Sequence, residues 1–454
     1  MSGFIWMCTR RAAMRMALVL SLSAGFSWPA LATTIERVIS PGGIEAWLVR
    51  ETSIPLIAME FAFRGGSSQD PADRPGVANM VTTLLDEGAG ELDAKAFSER
   101  LEAKAIEIKF MAGRDTITGS LRTLLEHRDE AFGLLKLSLT APRFDSEAVE
   151  RMRAEILSQL RRESVQPDDR AGKQWWATAF AGHAYGHDIH GTIESVEAIT
   201  PADLKRYIGR IFARDTLKIG IVGNLDAATA GLLIDSVFGS LPAQADLAPV
   251  PNTTPQALGR HVPVPLDVAQ SSLMFGGQGL ARRDPDYMAT YVVNHVLGGG
   301  AFSSRLYHEV RETRGLAYSV YSMLLPLKYT ALFLASTGTR ADRTAETLQV
   351  IENEIRRMAR DGPTADELAK AKSFLKGSYA LAFDTSPKIA NQLVQIQLEE
   401  LGIDYVDKRN GLIDAVTLDD AKRVANRVLS GELLVTIAGP SQDIAGKDAA
   451  AHAQ

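Results

Sequence analysis

Cysteine is almost absent from this chain of 454 residues, in which Cys8 is the only one. Cys8 precedes the apolar run of residues 16–26, whereas a lipid-modified cysteine would follow such a run. If the first 32 residues are removed, as the leader described below predicts, the remaining chain has no thiol. Disulfides, thiolate metal sites and cysteine catalysis are therefore excluded from the mature protein.

Basic residues are outnumbered by acidic ones. The chain has 49 lysines and arginines against 55 acidic residues, a formal net charge of −6. Removal of residues 1–32 leaves 46 basic residues against the same 55 acidic ones, so the net charge becomes −9. Because the sequence has no basic stripe to neutralise phosphates, we do not expect a nucleic acid partner.

Two kinds of hydrolase signature are missing. No G-x-S-x-G occurs, so serine hydrolase chemistry has no support. Neither H-x-x-E-H nor H-E-x-x-H, the helical motifs that hold a catalytic zinc, occurs in the sequence. The only histidine cluster is His183, His187 and His190, whose members are separated by glycines and a turn. We interpret that cluster as a structural loop in preference to a metal site.

The N-terminus has the features of an export signal. Arg10, Arg11 and Arg15 form a basic region, residues 16–26 are apolar, and residues 30–32 (Ala-Leu-Ala) resemble a cleavage site. The apolar run is too short to span a membrane, which takes about 20 residues. We therefore expect residues 1–32 to be a signal peptide and the mature chain to lie in the periplasm, without a stable membrane span.

A repeat divides the remaining chain, which is too long for one hydrophobic core. Residues 241–265 contain six prolines, and the pattern of strands and helices restarts beyond them. Three landmarks recur at spacings of 210–214 residues: Phe63 and Phe275, Asp70 and Asp284, Gly88 and Gly298. We predict two homologous α+β domains of mixed or antiparallel sheet packed with helices, at 33–240 and 266–446. The linker is 241–265, and a disordered tail is predicted at 447–454.

Residues 298–320 hold the strongest candidates for chemistry. Gly298, Gly299 and Gly300 predict a loop, which is followed by a short helix over residues 303–312, a turn at Gly315 and a strand. Arg311 and Tyr318 lie on either side of that turn. A planar cation and a phenol donor can hold a carbonyl or a developing oxyanion. The alternative, in which Arg311 covers a surface and Tyr318 fills a core, stays open on these residues alone.

This stretch resembles the second-domain signature of the pitrilysin/insulinase family of zinc peptidases, which includes mitochondrial processing peptidase. That signature is a glycine-rich loop, then S-S-R-L, then an arginine, then G-L-x-Y seven residues on. The corresponding residues here are Ser303-Ser304-Arg305-Leu306, Arg311 and Gly315-Leu316-Ala317-Tyr318. The resemblance extends over the whole mature chain and includes the duplication. The other segments that carry it are residues 65–90, 142–144 (Pro-Arg-Phe), 183–186 (His-Ala-Tyr-Gly) and 222–224 (Val-Gly-Asn). The resemblance implies two homologous domains that together form half of a clamshell.

The resemblance also shows what this chain has lost. The family carries H-x-x-E-H on the first helix of the first domain and a glutamate ligand on a later helix. Asn79 and Thr83 stand where the two histidines are expected, Thr82 replaces the general base, and Gln159 replaces the glutamate ligand. Amides and hydroxyls cannot replace imidazoles and a carboxylate for zinc, so we expect no cofactor in this chain.

An empty metal motif with an intact second-domain signature resembles the non-catalytic subunit of heterodimeric members of the family. The resemblance then implies a paralogous partner with an intact H-x-x-E-H and bound zinc. Arg311 and Tyr318 would bind peptide or unfolded polypeptide and stabilise the oxyanion at that zinc. Gly298, Gly299 and Gly300 would contribute to substrate binding and would let the two domains or subunits approach closely and move on closure.

Two other functions are compatible with the lost motif. One is a purely structural relative, and the other is a peptide-binding, chaperone-like relative without a catalytic partner. Retention of both Arg311 and Tyr318 argues against a scaffold, which needs neither side chain. A neighbouring gene for a chain with H-x-x-E-H would favour the catalytic complex over the chaperone-like module.

Overall fold

The computed structural model describes residues 34–440, so the signal peptide and the C-terminal tail predicted above lie outside the described residues. The first half forms a six-stranded sheet with the order β1-β2-β6-β3-β5-β4. Its strands are β1 (Ile35–Ile39), β2 (Glu45–Arg50), β3 (Leu56–Arg64), β4 (Glu107–Ala112), β5 (Thr116–Leu124) and β6 (Lys218–Gly223).

The second half forms a five-stranded sheet with the order β7-β11-β8-β10-β9. Apart from β1, the two orders correspond strand for strand, with β2-β6-β3-β5-β4 matching β7-β11-β8-β10-β9. Strand β6 is parallel to β2 and antiparallel to β3, and strand β11 is likewise parallel to β7 and antiparallel to β8. The matching order confirms the α+β fold with two sheets of one topology. The strands are β7 (His261–Pro265), β8 (Gln270–Gln278), β9 (Ala317–Pro326), β10 (Ala331–Arg340) and β11 (Leu434–Gly439).

Helices cover the sheets of both halves. Those of the first half are α1 (Val77–Thr82), α2 (Ala94–Ala103), α3 (Arg128–Thr140), α4 (Ser146–Glu163), α5 (Pro167–Ala179), α6 (Ile193–Ala198), α7 (Pro201–Ile211) and α8 (Ala227–Phe238). Those of the second half are α9 (Tyr287–Asn294), α10 (Arg305–Tyr307), α11 (Thr344–Asp361), α12 (Ala365–Ser378), α13 (Ser386–Leu398), α14 (Tyr405–Asp414) and α15 (Leu418–Leu429). None of the helices in residues 34–440 is long and apolar enough to cross a membrane.

Local sequence explains where several of these helices begin. Four of them start at a threonine whose hydroxyl accepts the backbone N–H three residues on, while that third residue caps the threonine in return. These capping threonines are Thr192, Thr200, Thr364 and Thr417. Pro201 follows Thr200 at the first helical position, where its missing N–H costs nothing.

The two halves exchange helices. Helix α5 of the first half packs on the second sheet, where the Trp175 indole N–H donates to the Leu434 carbonyl at 3.1 Å. Helix α13 of the second half packs on the first sheet, where the Gln397 amide donates to the Ile219 carbonyl at 2.9 Å. Each sheet is therefore covered in part by a helix that the other half supplies.

A glycine makes room for each exchanged helix. A Cβ on Gly276 in β8 would lie 2.1 Å from the Trp175 ring. A Cβ on Gly220 in β6 would lie 2.5 Å from the Ala390 carbonyl oxygen of α13. Because such contacts are far inside van der Waals distance, both positions need glycine.

Two elements differ from the sequence prediction. The linker predicted at 241–265 ends early, because His261–Pro265 form β7, which pairs with β11. Prolines fit there because β7 is an edge strand, where a missing N–H can face away from the ladder. The spacing of apolar residues at 76–85 also predicts a longer helix than is found, since α1 ends at Thr82.

Candidate functional site

The site predicted at residues 298–320 forms a corner between α9 and β9. Helix α9 continues into a wider, π-helical turn, His295–Gly299, closed by the bond from the Gly300 N–H to the His295 carbonyl at 2.8 Å. The predicted glycine loop is thus partly the end of this helix. Gly298 is buried, whereas Gly299 is exposed.

Gly298 lets the helix end approach β9. A Cβ there would lie 2.5 Å from the Ser322 hydroxyl and 2.7 Å from the Ser322 nitrogen. Beside it, the Ser322 hydroxyl donates to the Asn294 side-chain oxygen at 2.8 Å, and both side chains are buried. These contacts fix β9 against the end of the helix. The close approach made possible by Gly298 is therefore one within this half of the chain.

The short helix predicted at 303–312 is present but changes type along its length. Ser304 caps α10, and a second π-helical turn, His308–Glu312, follows it. A π turn adds one residue to a turn, which rotates the next side chains by about 100° relative to an α-helix. Gly315, with φ of 60°, then reverses the chain into β9. Arg311 and Tyr318 come from the two sides of this reversal.

Arg311 and Tyr318 lie side by side. The Arg311 guanidinium carbon is 4.4 Å from the centroid of the Tyr318 ring and 4.9 Å from that of Tyr307. Tyr318 is 81% exposed, so it does not fill a core. Within residues 34–440 the Arg311 guanidinium has no ion pair or hydrogen bond, and its contacts are these two rings. Cation–π contacts orient the guanidinium while leaving its N–H donors free for a ligand.

Arg305 of the same signature has a different role. Its Nε and one terminal nitrogen donate to the two oxygens of Glu367, each at 2.6 Å, and Glu354 lies 3.6 Å away. This bidentate pair ties the corner to α11 and α12. Of the two arginines, Arg305 is therefore structural, and Arg311 alone is free to contact a ligand.

The positions of the lost metal motif are closed by hydrogen bonds. The Thr82 hydroxyl donates to the Asn79 carbonyl at 2.8 Å, and the Thr83 hydroxyl donates to the Met80 carbonyl at 3.0 Å. The Gln159 amide donates to Glu163 at 2.7 Å. Because these groups are neutral and bound to protein partners, they do not fit a zinc ion.

Comparisons with known proteins agree with these observations. Residues 50–193 match the model of the insulinase family, peptidase family M16, and residues 198–375 match the peptidase M16 inactive domain. Together the two models cover more than two thirds of the chain. The chain belongs to the insulinase family.

Individual relatives give the same result. An uncharacterised zinc protease of Streptomyces coelicolor is 29% identical over 422 residues, which is 90% of each chain. A non-peptidase homologue of Helicobacter pylori, YmxG, is 28% identical over 334 residues, 73% of this chain and 77% of that protein. The crystal structure of a peptidase M16 inactive domain from Pseudomonas fluorescens has a TM-score of 0.84 and 28% identity, covering 90% of this chain and 98% of that one. This insulinase-family chain, without the residues for zinc, is a non-catalytic member.

The histidine cluster of this insulinase-family chain has structural partners. His183 contacts the Pro251 carbonyl at 3.0 Å and accepts the Tyr185 N–H. His190 lies 3.2 Å from Glu163, whose other oxygen pairs with Lys173 at 2.7 Å. Across residues 34–440, no group of three or more histidine, aspartate or glutamate side chains is arranged to hold a metal.

Two further aromatic residues belong to the corner, and sequence reasoning missed them. Tyr307 contacts Arg311, and Phe302 packs edge-on against Tyr307 with ring centroids 5.1 Å apart. Phe302 is 74% exposed, which is unusual for so large an apolar side chain. Both residues flank the S-S-R-L segment, so an aromatic residue on each side of that segment is the sequence feature that indicates them.

Proposed function

We propose that this chain is the non-catalytic subunit of a heterodimeric zinc peptidase of the periplasm. In this proposal Arg311 and Tyr318 act in trans at the zinc of a paralogous partner. The observation that carries it is the exposed Arg311–Tyr318 pair, whose hydrogen-bonding groups have no partner within residues 34–440. A scaffold would have no use for an unpaired guanidinium held between two phenol rings.

The chemistry of this pair suits peptide hydrolysis. When water attacks a peptide carbonyl, negative charge develops on the carbonyl oxygen, and fixed donors stabilise it. The Arg311 guanidinium would supply a permanent positive charge, and the Tyr318 hydroxyl would supply a second donor. Gly299, exposed at the end of the π turn, would let substrate backbone approach. The partner's zinc would supply the activated water.

The competing function is a structural or chaperone-like relative with no catalytic partner. The hydrogen bonds at Thr82 and Thr83 are compatible with it, because the hydroxyls at these positions of the lost metal motif bind carbonyls of their own helix. It would bind unfolded segments without cleaving them. The two functions differ in whether Arg311 changes the rate of a reaction.

Reconstitution separates these functions. The mature chain is purified alone and together with a zinc-bearing paralogue of the same organism, and zinc content and peptide cleavage are measured. We expect no zinc and no cleavage from this chain alone, and activity that requires both chains. Arg311→Ala and Tyr318→Phe should lower turnover while co-purification with the partner is retained.

Two matched controls lie in the same segment. Tyr321→Phe removes a hydroxyl from an exposed tyrosine of the same strand, and Arg314→Ala removes a nearby arginine that is already paired with Glu309. Both should leave turnover close to that of the wild type. One equivalent of zinc in the isolated chain, or full activity of Arg311→Ala in the complex, would contradict the proposal.

The proposed location depends on the leader. A periplasmic site follows from the basic region, apolar run and cleavage sequence of residues 1–32. The N-terminus of the protein purified from the periplasm should therefore lie near Thr33. Recovery of the full-length chain from the cytoplasm alone would contradict this location without affecting the role of Arg311.

A further inference from the structure

We propose that the cleft between the two halves binds a doubly charged oxyanion of the phosphate type. The cleft has a volume of about 510 Å³, within the range of small-molecule sites. None of its lining residues belongs to the corner around Arg311, so this site is separate from the proposed peptidase function.

The cleft is formed where two hairpin turns meet. One turn joins β4 to β5 and contains Arg114 and Asp115, and the other joins β9 to β10 and contains Lys328. The Lys328 backbone N–H donates to the Asp115 carboxylate at 3.0 Å. The hydroxyl of Tyr185, a fully buried residue, donates to the same carboxylate at 2.7 Å and accepts the Tyr329 N–H. The walls of the cleft are thus fixed relative to each other.

Positive charge is in excess in this cleft, although the whole chain is acidic. Three carboxylates line it: Asp115, Glu399 and Glu400. Five cationic side chains line it: Arg64, Arg114, Arg282, Arg283 and Lys328. The excess is therefore two positive charges, which matches a phosphoryl dianion better than a single carboxylate.

The carboxylates are already engaged. Glu399 pairs with Arg282 at 2.8 Å, and Glu400 pairs with Arg283 at 2.9 Å and with Arg64 at 3.5 Å. Asp115 accepts the tyrosine hydroxyl and the backbone N–H described above. Three of the five cations are therefore paired with Glu399 or Glu400, and Asp115 is held by neutral donors. The other two cations have no ion pair with a carboxylate of the cleft.

Lys328 and Arg114 are the unmatched cations. Among the described residues no carboxylate lies within ion-pair distance of the Lys328 ammonium, which is 5.7 Å from the Tyr329 ring centroid. Partial burial of the ammonium group, and then the charge of Arg64, lower the pKa of Lys328. Arg114 stacks at 3.7 Å on Trp176 and donates to the carbonyls of Tyr185 and His187, and burial lowers its pKa to about 10. A bound dianion would relieve this crowding of like charges.

Phosphate binding can be tested on the mature chain by titration calorimetry at constant ionic strength. Inorganic phosphate and phosphoserine are compared as free and esterified sources of the dianion, and acetate serves as the monoanion. We expect saturable binding of one or both phosphates and none of acetate. The phosphates should also raise the melting temperature, since a ligand of the folded state stabilises it.

Variants locate the site. Lys328→Gln and Arg64→Gln should each weaken phosphate binding at least tenfold, whereas Lys328→Arg should retain it. Lys370→Gln, which removes an exposed lysine far from the cleft lining, is the matched control and should bind as the wild type does. Absence of saturable phosphate binding, equal binding of acetate, or unchanged affinity in both Lys328→Gln and Arg64→Gln would overturn the proposal.

Discussion

The two halves of the chain share a strand order but differ in the side chains at one corner of each half. These corners are the end of α1 in the first half and the corner between α9 and β9 in the second half. In the first half, the hydroxyls of Thr82 and Thr83 bind carbonyls of their own helix. In the second half, Arg311 and Tyr318 face outward with free donors. The same arrangement of strands therefore has one corner whose hydroxyls are already bonded and one corner whose donors are free to bind a ligand.

This difference shows that the first half can lack its metal-binding residues and still keep its fold. Zinc ligands are polar groups that a bound ion satisfies, so a site without its ion leaves buried polar atoms without partners. Replacement by threonine avoids that cost at residues 82 and 83, because both hydroxyls find a backbone carbonyl within one turn. The first half can thus keep its fold without a metal, and nothing in its packing requires the old site.

The two halves should unfold as one cooperative unit, because each covers part of the other's sheet, and Trp175→Ala tests this expectation. The change removes a fully buried ring of α5 and its bond to Leu434 in the second sheet. Such truncations cost about 3–5 kcal/mol. We expect one unfolding transition, shifted to lower denaturant for both halves, in urea titrations followed by circular dichroism.

The matched control for Trp175→Ala is a substitution at a helix position that has no neighbour. Gly209→Ala in α7 meets no atom within 4 Å and should change stability by less than about 1 kcal/mol. Two separate transitions, with only the second half affected by Trp175→Ala, would show that the halves unfold independently.

The outward-facing corner predicts coupling between its two residues. Each of Arg311→Ala and Tyr318→Phe should lower the turnover of the reconstituted complex by about 10²- to 10³-fold, the usual cost of losing one oxyanion donor. Because the two side chains are in contact, we expect the double variant to lose less than the sum of both effects. Steady-state kinetics of the four proteins measures this, and strict additivity would show that the residues act apart.

Exchange of helices also buries a titratable group, so the stability of the protein should depend on pH. Burial raises the pKa of Glu60 in β3, which bonds Asn391 of α13, to about 7. The folded state then binds more protons than the unfolded state between about pH 4.5 and 7, so this contribution to stability falls as pH rises through that range. Glu60→Gln should raise the free energy of unfolding at pH 8 by roughly 2 kcal/mol and change it little at pH 4.5.

Urea titrations at the two pH values measure this effect. Glu197→Gln, at an exposed glutamate, should alter neither value by more than about 0.5 kcal/mol. Burial also raises the pKa of Asp70 to about 7 and that of Asp86 to about 6, so Glu60→Gln should retain part of the pH dependence. An equal gain at both pH values would contradict a charged, buried Glu60.

The smallest effect is expected in the closed corner. Thr83→Ala removes a hydroxyl whose bond to the Met80 carbonyl lies within its own helix, so stability should change by less than about 1 kcal/mol. Turnover of the reconstituted complex should be unchanged, because the hydroxyl contacts no predicted catalytic group. A large loss of turnover would mean that the first half still takes part in the chemistry.

Much of this architecture is predictable from the sequence, where local residues decide it. The duplication, the helix opened by Thr200 and Pro201 and the strand beginning near Leu316 follow from spacing, caps and glycines. The lost ligands at Asn79 and Thr83 follow from residue identity alone. The roles proposed for Arg311 and Tyr318 remain predictions.

The rest depends on distant parts of the chain. Gly220 and Gly276 look like ordinary strand glycines, and only the arrival of α13 and α5 explains them. Residue type alone does not separate Arg305 from Arg311. They differ because Arg305 donates to Glu367, which lies 62 residues further along the chain. The π turns have no local signature, and the first of them contains Gly298, which lies against Ser322 of β9.

Helix exchange has a consequence for how the protein is made. Ile219 meets Gln397 only after a further 178 residues have been synthesised, and Trp175 meets Leu434 after 259. During that interval the first sheet has an uncovered apolar face, which is prone to aggregation. Nascent chains that stop before residue 386 should therefore remain bound to chaperones. In the finished protein, cutting the linker should leave the two fragments associated.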